Sequence, residues 1–453
     1  MAALHHHPSQ STTVITMSAN DMLEVEGGRP LVGEVRLAGA KNAATKLMVA
    51  SLLTAEPVTI DNIPDLGDTS VTAELLAHVG TTINRLGQQW TLTTADVRQA
   101  QVPPLSRRNR IPILALGPLL HRAGEAEVPL LGGDRIGARP VNWHLAALQL
   151  LGADIEVTPD RVRARAQRLR GASITLPYPS VGATENIILT AVLATGRTVI
   201  RGAAVEPEVA DLVQMLRGMG ARIDCPDSRE VVIDGVGTLH GTNYRVMPDR
   251  NEAVSFSCLA YATGGDITVR EARPKDLAAW LAAVRRFGGQ YEIGAGGIRF
   301  FGRRPWRGIK VETEPHPGFM TDWQQPLAVV LTQAAGPSTI HETVYEDRFG
   351  YLQSVAAMGA EVATSSDCWG RQPCRWVNRG FIHSCRLHGP RRLHGGVLTM
   401  PDIRAGMAHL IAALAAEGQS ELTGLEHLAR GYQALPDRLR SVGARLAVIR
   451  RVY

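Results

Sequence analysis

The chain has 453 residues, of which 45% are hydrophobic and 20% charged, and a formal net charge of +5. That length buries more than one core, so two domains of about 200 residues are expected. A small charge spread along the chain argues against nucleic acid and for small anionic ligands, and no run of about 18 apolar residues is present to span a membrane.

Residues 1–22 carry His5-His6-His7 and several Ser and Thr but no apolar stretch of signal-peptide length, which reads as a disordered leader. Five cysteines form an odd count without framework spacing, which points to a reducing cytoplasm. A monomer or weak oligomer is expected. The chain then reads strand, helix, strand over 35–37, 42–53 and 58–60. The helix opens with Lys41-Asn42 after the flexible Ala38-Gly39-Ala40. A lysine at a helix N-terminus adds its charge to free backbone N–H groups, although a solvated lysine has the same signature.

One short phrase follows and then recurs: an apolar residue, Gly, a small residue, any residue, an apolar one. It stands at Gly80, Gly152, Gly220, Gly288, Gly359 and Gly443, at a period of roughly 70 residues. Glycine accepts the left-handed conformation that closes a helix, and an apolar strand follows, so the unit is β-α-β-α-β, used six times. In the second unit Arg107, Arg108 and Arg110 precede an apolar helix over 111–120.

Next comes the glycine-rich loop 131–140, Leu-Gly-Gly-Asp-Arg-Ile-Gly-Ala-Arg-Pro, which leads through Val141, Asn142, Trp143 and His144 into an amphipathic segment. Its glycines let backbone approach a ligand, and Asp134 and Arg139 give it charge; a capped tight turn fits the same residues. The third unit has Ser180-Val181-Gly182 at its helix start, where backbone amides suit a phosphate. Three units fill one domain, so the cut falls near Val246-Met247-Pro248 and leaves a cleft between two lobes.

The fifth unit places carboxylates at the junction where the others carry cations, Glu314 and Asp322 among them. Asp322 suits either a general base or a helix cap. An insertion over 367–394 holds Cys368, Cys374 and Cys385 at a spacing that matches no standard zinc site, and an irregular surface loop is expected there. The sixth unit brings Asp402-Ile403-Arg404 to its strand-to-helix junction, and Arg430-Gly431-Tyr432 follows. No Walker A, no GxGxxG after a strand, no HExxH and no nucleophile elbow occurs, which disfavours ATP and nicotinamide chemistry.

Taken together, Ala38-Gly39-Ala40-Lys41-Asn42, Gly132-Gly133-Asp134 through Arg139-Pro140 and His144, Ser180-Val181-Gly182-Ala183-Thr184-Glu185-Asn186, Glu206-Pro207-Glu208, Thr321-Asp322, Glu342-Thr343-Val344 with Arg348, Asp402-x-Arg404 and Arg430-Gly431-Tyr432 resemble the enolpyruvyl transferases. The loop around Asp134 favours the branch acting on UDP-N-acetylglucosamine over the shikimate-phosphate branch. The resemblance implies a two-lobed inside-out α/β barrel, with 41–247 as one lobe and 23–40 plus 248–453 as the other. It implies transfer of enolpyruvyl from phosphoenolpyruvate to the 3-hydroxyl of the UDP-sugar, with no metal or organic cofactor. An alternative is transfer to another nucleotide such as UMP.

Carried over by position, Lys41, Arg110, Arg139, Arg404 and Arg430 hold phosphoenolpyruvate. Asn42 and Val344 touch the sugar, and Pro140, Val141, Asn142, His144, Ser180, Val181 and Gly182 hold the nucleotide. Arg348 and Asp402 belong to the binding motifs, Asp322 takes the hydroxyl proton, and Asp134 stands where a cysteine is usual and serves as the loop's acid. The chain departs from the family pattern at Asn142, at Met320 and Trp323 beside Asp322, and at Asn251, where isoleucine is more usual. An aspartate at 134 also implies resistance to fosfomycin, which alkylates a thiolate.

Overall fold

All 14 residues of the helix Arg250–Thr263 are buried. A helix that is apolar or small on every side has no solvent face and belongs in the middle of a protein. Gln324–Leu331 is buried throughout and Ile403–Ala415 almost so, and these three helices pack on one another. Lys41–Ala50, Pro112–Ala123 and Val181–Ala191 form a second such group, with Pro112–Ala123 against both others. The sheets lie outside these helices in an α/β arrangement. The computed structural model describes residues 20–130, 132, 140–226, 229–371 and 374–450.

Among these residues the strands form six sheets. The third unit shows the plan. Ser173–Thr175 and Arg197–Arg201 pair in parallel on either side of Val181–Ala191. After Pro207–Gly218 the strands Arg222–Asp224 and Glu230–Asp234 form a hairpin whose second strand returns to Arg197–Arg201. The unit therefore carries one strand more than β-α-β-α-β. The extra strand is needed because the one after the glycine turn lies at the sheet edge and reaches the sheet only through its hairpin partner. The glycines of the six phrases all have φ between 90° and 113°, a left-handed region where a Cβ is strained, so the repeated glycine is a repeated helix stop.

Val32–Arg36 does not pair with Val58–Asp61, the next strand in the chain. It pairs in parallel with Asp266–Arg270, and Val58–Asp61 takes Asn243–Arg245 instead. The chain thus crosses twice between two hydrophobic cores, one built from buried residues between 40 and 247, the other from those between 23 and 37 and between 253 and 444. The crossings run side by side: Ala40 N–H donates to Met247 O at 2.7 Å, and Asp249 N–H donates to Ala38 O at 2.9 Å. A strand's partner is chosen by the core its side chains enter, and Val35 and Leu37 enter the second.

The expected leader also ends sooner than residue 22. Asp21 and Met22 already belong to the strand Asp21–Glu26, paired with Arg450 and Ile449; residues 1–19 lie outside the described ones.

Candidate active site

One cavity of about 670 Å³ is lined by residues from the first turn of all six buried helices, or from the turn just before it: Lys41 and Asn42, Ile111 and Ile113, Val181 and Gly182, Arg250, Thr321 and Asp322, Asp402 and Ile403. Each N-terminus presents backbone N–H groups and the positive end of a helix dipole, so six such ends around one space attract anions before any side chain is counted. The volume lies in the ordinary range for a small-molecule site.

Cations add to that field. Lys41 Nζ lies 3.0 Å from Asp68 Oδ2, and Arg430 Nε lies 3.2 Å from Asp68 Oδ1, so one carboxylate joins two cavity cations from different cores. Burial alone pushes the Asp68 carboxyl up, but the charges of Lys41 and Arg430 outweigh it and hold its pKa at about 2. Arg110 lines the same wall. Arg404 Nε lies 3.0 Å from Asp322 Oδ2, and Arg348 Nη1 lies 3.1 Å from Asp322 Oδ1. Burial opposes ionisation there too, yet Arg404 and then Arg348 hold the Asp322 carboxyl well below the usual carboxylate range.

Asp322 is thus the paired anion of two arginines at a cavity wall, and it caps no helix through its side chain. Asp402 does cap one: its Oδ1 accepts from the N–H groups of Arg404 at 2.7 Å and Ala405 at 3.0 Å, which fixes the turn that carries Arg404.

Other parts of the lining come from the starts of Asn142–Leu150 and Val181–Ala191 and from the stretch around Val344. Ser180 caps Val181–Ala191, accepting from Ala183 N–H at 3.4 Å, and Gly182 sits under the His144 ring, where a Cβ would meet His144 Cε1 at 3.1 Å. Burial, and then the charge of Arg110, push His144 down to about 3, so its imidazole is neutral and hydrogen bonds to Asn186 Nδ2 at 3.3 Å. Val344 is held by Glu342, whose Oε1 accepts from Val344 N–H at 2.8 Å while Oε2 accepts from Thr321 Oγ1 at 2.7 Å.

Of the residues named from sequence, Lys41, Asn42, Arg110, Pro140, His144, Ser180, Val181, Gly182, Asp322, Val344, Arg348, Asp402, Arg404 and Arg430 line this one cavity. Val141 and Asn142 do not. Asn142 opens the helix Asn142–Leu150 on its exposed side, because one helical face cannot turn every residue of 140–144 inward. Asp134 and Arg139 lie outside the described residues.

Several wall residues escaped the sequence reading. Asp68 is one. Lys46, 3.8 Å from the buried Glu185, is another; burial pushes Glu185 up to about 7 despite that lysine. A third feature is the buried Arg250–Glu208 pair, which meets side by side through two bonds of 2.9 Å between the two cores. The insertion is a further correction. Rather than lying apart as a surface loop, it sends Arg375, Trp376, Arg379 and Phe381 into the cavity wall. The signal was its aromatic and basic content, which a solvated loop has no need of.

Sheets outside, helices inside and a cationic cavity at the helix starts define an enolpyruvyl transferase. The family model described as EPSP synthase (3-phosphoshikimate 1-carboxyvinyltransferase) matches residues 25–439, and the chain belongs to that family. It is 44% identical over 432 residues, 94% of each chain, to the UDP-N-acetylglucosamine 1-carboxyvinyltransferase of Chlamydia pneumoniae. It is 41% identical over 439 residues to the protein of the same name from Protochlamydia amoebophila (strain UWE25), covering 95% of this chain and 94% of that one. Among solved structures, the enolpyruvyl transferase NikO from Streptomyces tendae superposes with a TM-score of 0.81 at 26% identity, over 95% of this chain and 99% of that chain. An EPSP synthase from Acinetobacter baumannii, at 18% identity and a TM-score of 0.68 over 95% of this chain and 100% of that one, shares the fold.

Proposed function

We propose that the protein transfers the enolpyruvyl group of phosphoenolpyruvate to the 3-hydroxyl of UDP-N-acetylglucosamine, releasing phosphate, the first committed step of peptidoglycan precursor synthesis. The observation that carries this reading is the convergence of six helix N-termini with Lys41, Arg110, Arg404 and Arg430 on one cavity that also holds Asp322. Phosphoenolpyruvate carries up to three negative charges, and a site with this many cations suits it. The acceptor follows from the relatives named above, at 41–44% identity over nearly the whole chain.

In this reading Lys41, Arg110 and Arg430, with Arg139 of the loop, hold phosphoenolpyruvate, and Arg404 binds its carboxylate. Asn42 and Val344 face the sugar; Pro140, His144 and Ser180-Val181-Gly182 face the nucleotide. Asp322 takes the proton of the 3-hydroxyl as its oxygen bonds to C2 of phosphoenolpyruvate, while Asp134 protonates the methylene carbon. Loss of phosphate from C2, with return of a proton from the methyl group, leaves the enol ether. A carboxylate held by two arginines is a weak base at rest. When phosphoenolpyruvate draws Arg404 toward itself, Asp322 loses part of its counter-charge and its proton affinity rises, so the base strengthens when the substrate is bound.

The cavity then lies between two lobes, 41–247 and 23–40 with 248–453, and the loop 131–140 belongs to the first, most of it outside the described residues. Five unpaired cysteines agree with action in the cytoplasm, and no helix among the described residues is long and apolar enough to cross a membrane. The test is phosphate release from phosphoenolpyruvate with UDP-N-acetylglucosamine, UMP and shikimate 3-phosphate offered in turn. Turnover with the UDP-sugar is expected; turnover with UMP alone would assign the protein to a different acceptor.

A further inference from the structure

The insertion 367–394 looks uninformative as a string because its partner residue lies outside it. His341 ends the strand Ala334–His341, and the fold brings it beside Cys368, Cys374 and His383, with one ligand atom of each residue within 4.8 Å of all the others. Cys368 Sγ lies 3.6 Å from Cys374 Sγ and 3.2 Å from His383 Nε2. A tetrahedral zinc ion with bonds of about 2.3 Å to sulfur and about 2.0–2.1 Å to nitrogen requires edges of about 3.8 Å between sulfurs and about 3.5 Å between sulfur and nitrogen. The observed spacings match such a site to within a few tenths of an ångström. They leave no room for the two irons of a cluster.

The surroundings are those of metal ligands. Both imidazoles are buried, His341 at 1% exposure and His383 at 0%, and His341 Nε2 has no hydrogen-bond partner, an expensive arrangement for a buried polar ring. His383 Nδ1 lies 2.7 Å from Phe381 O, the contact that fixes the tautomer with a lone pair on Nε2, the atom facing Cys368. Glu312 Oε1 lies 3.5 Å from His341 Nδ1, the usual place for a carboxylate that orients a ligating histidine. Trp376 N–H points at Cys374 Sγ at 3.3 Å, a bond that stabilises a thiolate. Cys385, the third cysteine of the insertion, takes no part: it is buried in the strand Ser384–Gly389 opposite Ile340.

We propose that His341, Cys368, Cys374 and His383 bind one zinc(II) ion, a structural site with four protein ligands and no open position. Two thiolates and two imidazoles in a tetrahedron select zinc over magnesium or calcium. The ion fastens the insertion to the end of the strand that precedes Glu342, and so sets the cavity wall. The residue after Cys374, Arg375, stacks between the rings of Tyr178, at 4.4 Å, and Trp376, at 4.3 Å; Arg375, Trp376 and Tyr178 all line the cavity. Tyr178 belongs to the stretch before Ser180, so the zinc-held loop reaches the nucleotide end of the site. That last consequence rests on the function proposed above; the metal site does not.

The full chain is purified and its metals counted by elemental analysis, beside Cys374→Ser, Cys368→Ser and Cys225→Ser. All four proteins retain His5-His6-His7, so loose binding to that run cancels. One zinc per chain is expected in the parent and in Cys225→Ser, and none above background in the other two. In the parent protein, which has no folding defect to confuse the result, zinc should shield Cys368 and Cys374 from alkylation and a strong chelator should expose them. Cobalt(II) should give the thiolate charge-transfer band of a tetrahedral two-thiolate site. Failure of the parent to hold zinc or cobalt, retention of zinc by Cys374→Ser, a Cys368–Cys374 disulfide, or iron–sulfur absorbance would each overturn the site. If the loop sets the wall, chelation should raise KM for the UDP-sugar about tenfold and change kcat less than about twofold; an unchanged KM would overturn that part while the metal count stands.

Discussion

The indole N–H of Trp323 donates to Asn251 Oδ1 at 3.0 Å, both side chains buried. These are two of the positions at which the chain departs from its family pattern, and the structure joins them. A tryptophan next to Asp322 needs an acceptor for its N–H, and Asn251 supplies it. Asn251→Ile should therefore destabilise the protein by about 1–3 kcal/mol, the cost of stranding a buried donor. Trp323→Leu opens a cavity and costs stability of its own, but the double variant Trp323→Leu with Asn251→Ile should lose less than the sum of the two single losses. Urea unfolding of both single variants and the double variant gives the coupling, and additive losses would show the bond to be incidental.

Asp322→Asn keeps the shape of the side chain and removes the base. Phosphate release should fall by about 10²–10⁴-fold in kcat. Because Arg404 and Arg348 lose their carboxylate partner, the KM for phosphoenolpyruvate should stay the same or drop. A variant with nearly full kcat would remove Asp322 from the proton path.

Asp68 makes stability depend on pH. Its folded pKa of about 2 lies below the unfolded value near 3.8, so the folded state binds its proton less tightly and the contribution is complete above about pH 4. It is lost as pH falls toward 2, and the whole span is worth about 2 kcal/mol. The difference in urea midpoint between the parent and Asp68→Asn should be large at pH 7 and shrink below pH 4. A difference that is constant with pH would mean that the carboxylate is not held by Lys41 and Arg430 as described.

His144 should not titrate in the physiological range. With burial and Arg110 both disfavouring the imidazolium, its Cε1–H resonance should stay flat from pH 5 to pH 8. A midpoint near 6.5 would show the ring to be solvated and free of Arg110.

Fosfomycin should leave the protein active. It acts by alkylating a thiolate, and Asp134 offers none; Asp134→Cys should restore time-dependent inactivation. Progressive inactivation of the parent by the epoxide would contradict this.

The cores and the binding motifs were legible in the chain, and the pairings that cross between distant segments were not. Six glycines at one period announced six helix stops, and each takes the left-handed conformation. Lys41, Ser180-Val181-Gly182, Asp322 and Arg404 were readable because each lies at a strand-to-helix junction, and those junctions face one cavity. Asp68 was not. It is a carboxylate in the first turn of a helix, where capping explains it locally, and only folding brings Arg430 to it from 362 positions away. The cluster of His341, Cys368, Cys374 and His383 does not show in the spacing of the cysteines, because His341 comes from an earlier strand and Cys385 faces elsewhere.

If one cavity joins phosphoenolpyruvate to the sugar hydroxyl of a UDP-sugar, the nucleotide itself gains the enolpyruvyl group. The most direct measurement is mass spectrometry of the nucleotide after incubation of the full chain with phosphoenolpyruvate and UDP-N-acetylglucosamine, with released phosphate counted in the same tube. A nucleotide heavier by one enolpyruvyl group less the displaced hydrogen is expected, with one phosphate released per product. Phosphate release without change in the UDP-sugar, or enolpyruvyl found only on a different acceptor, would contradict it.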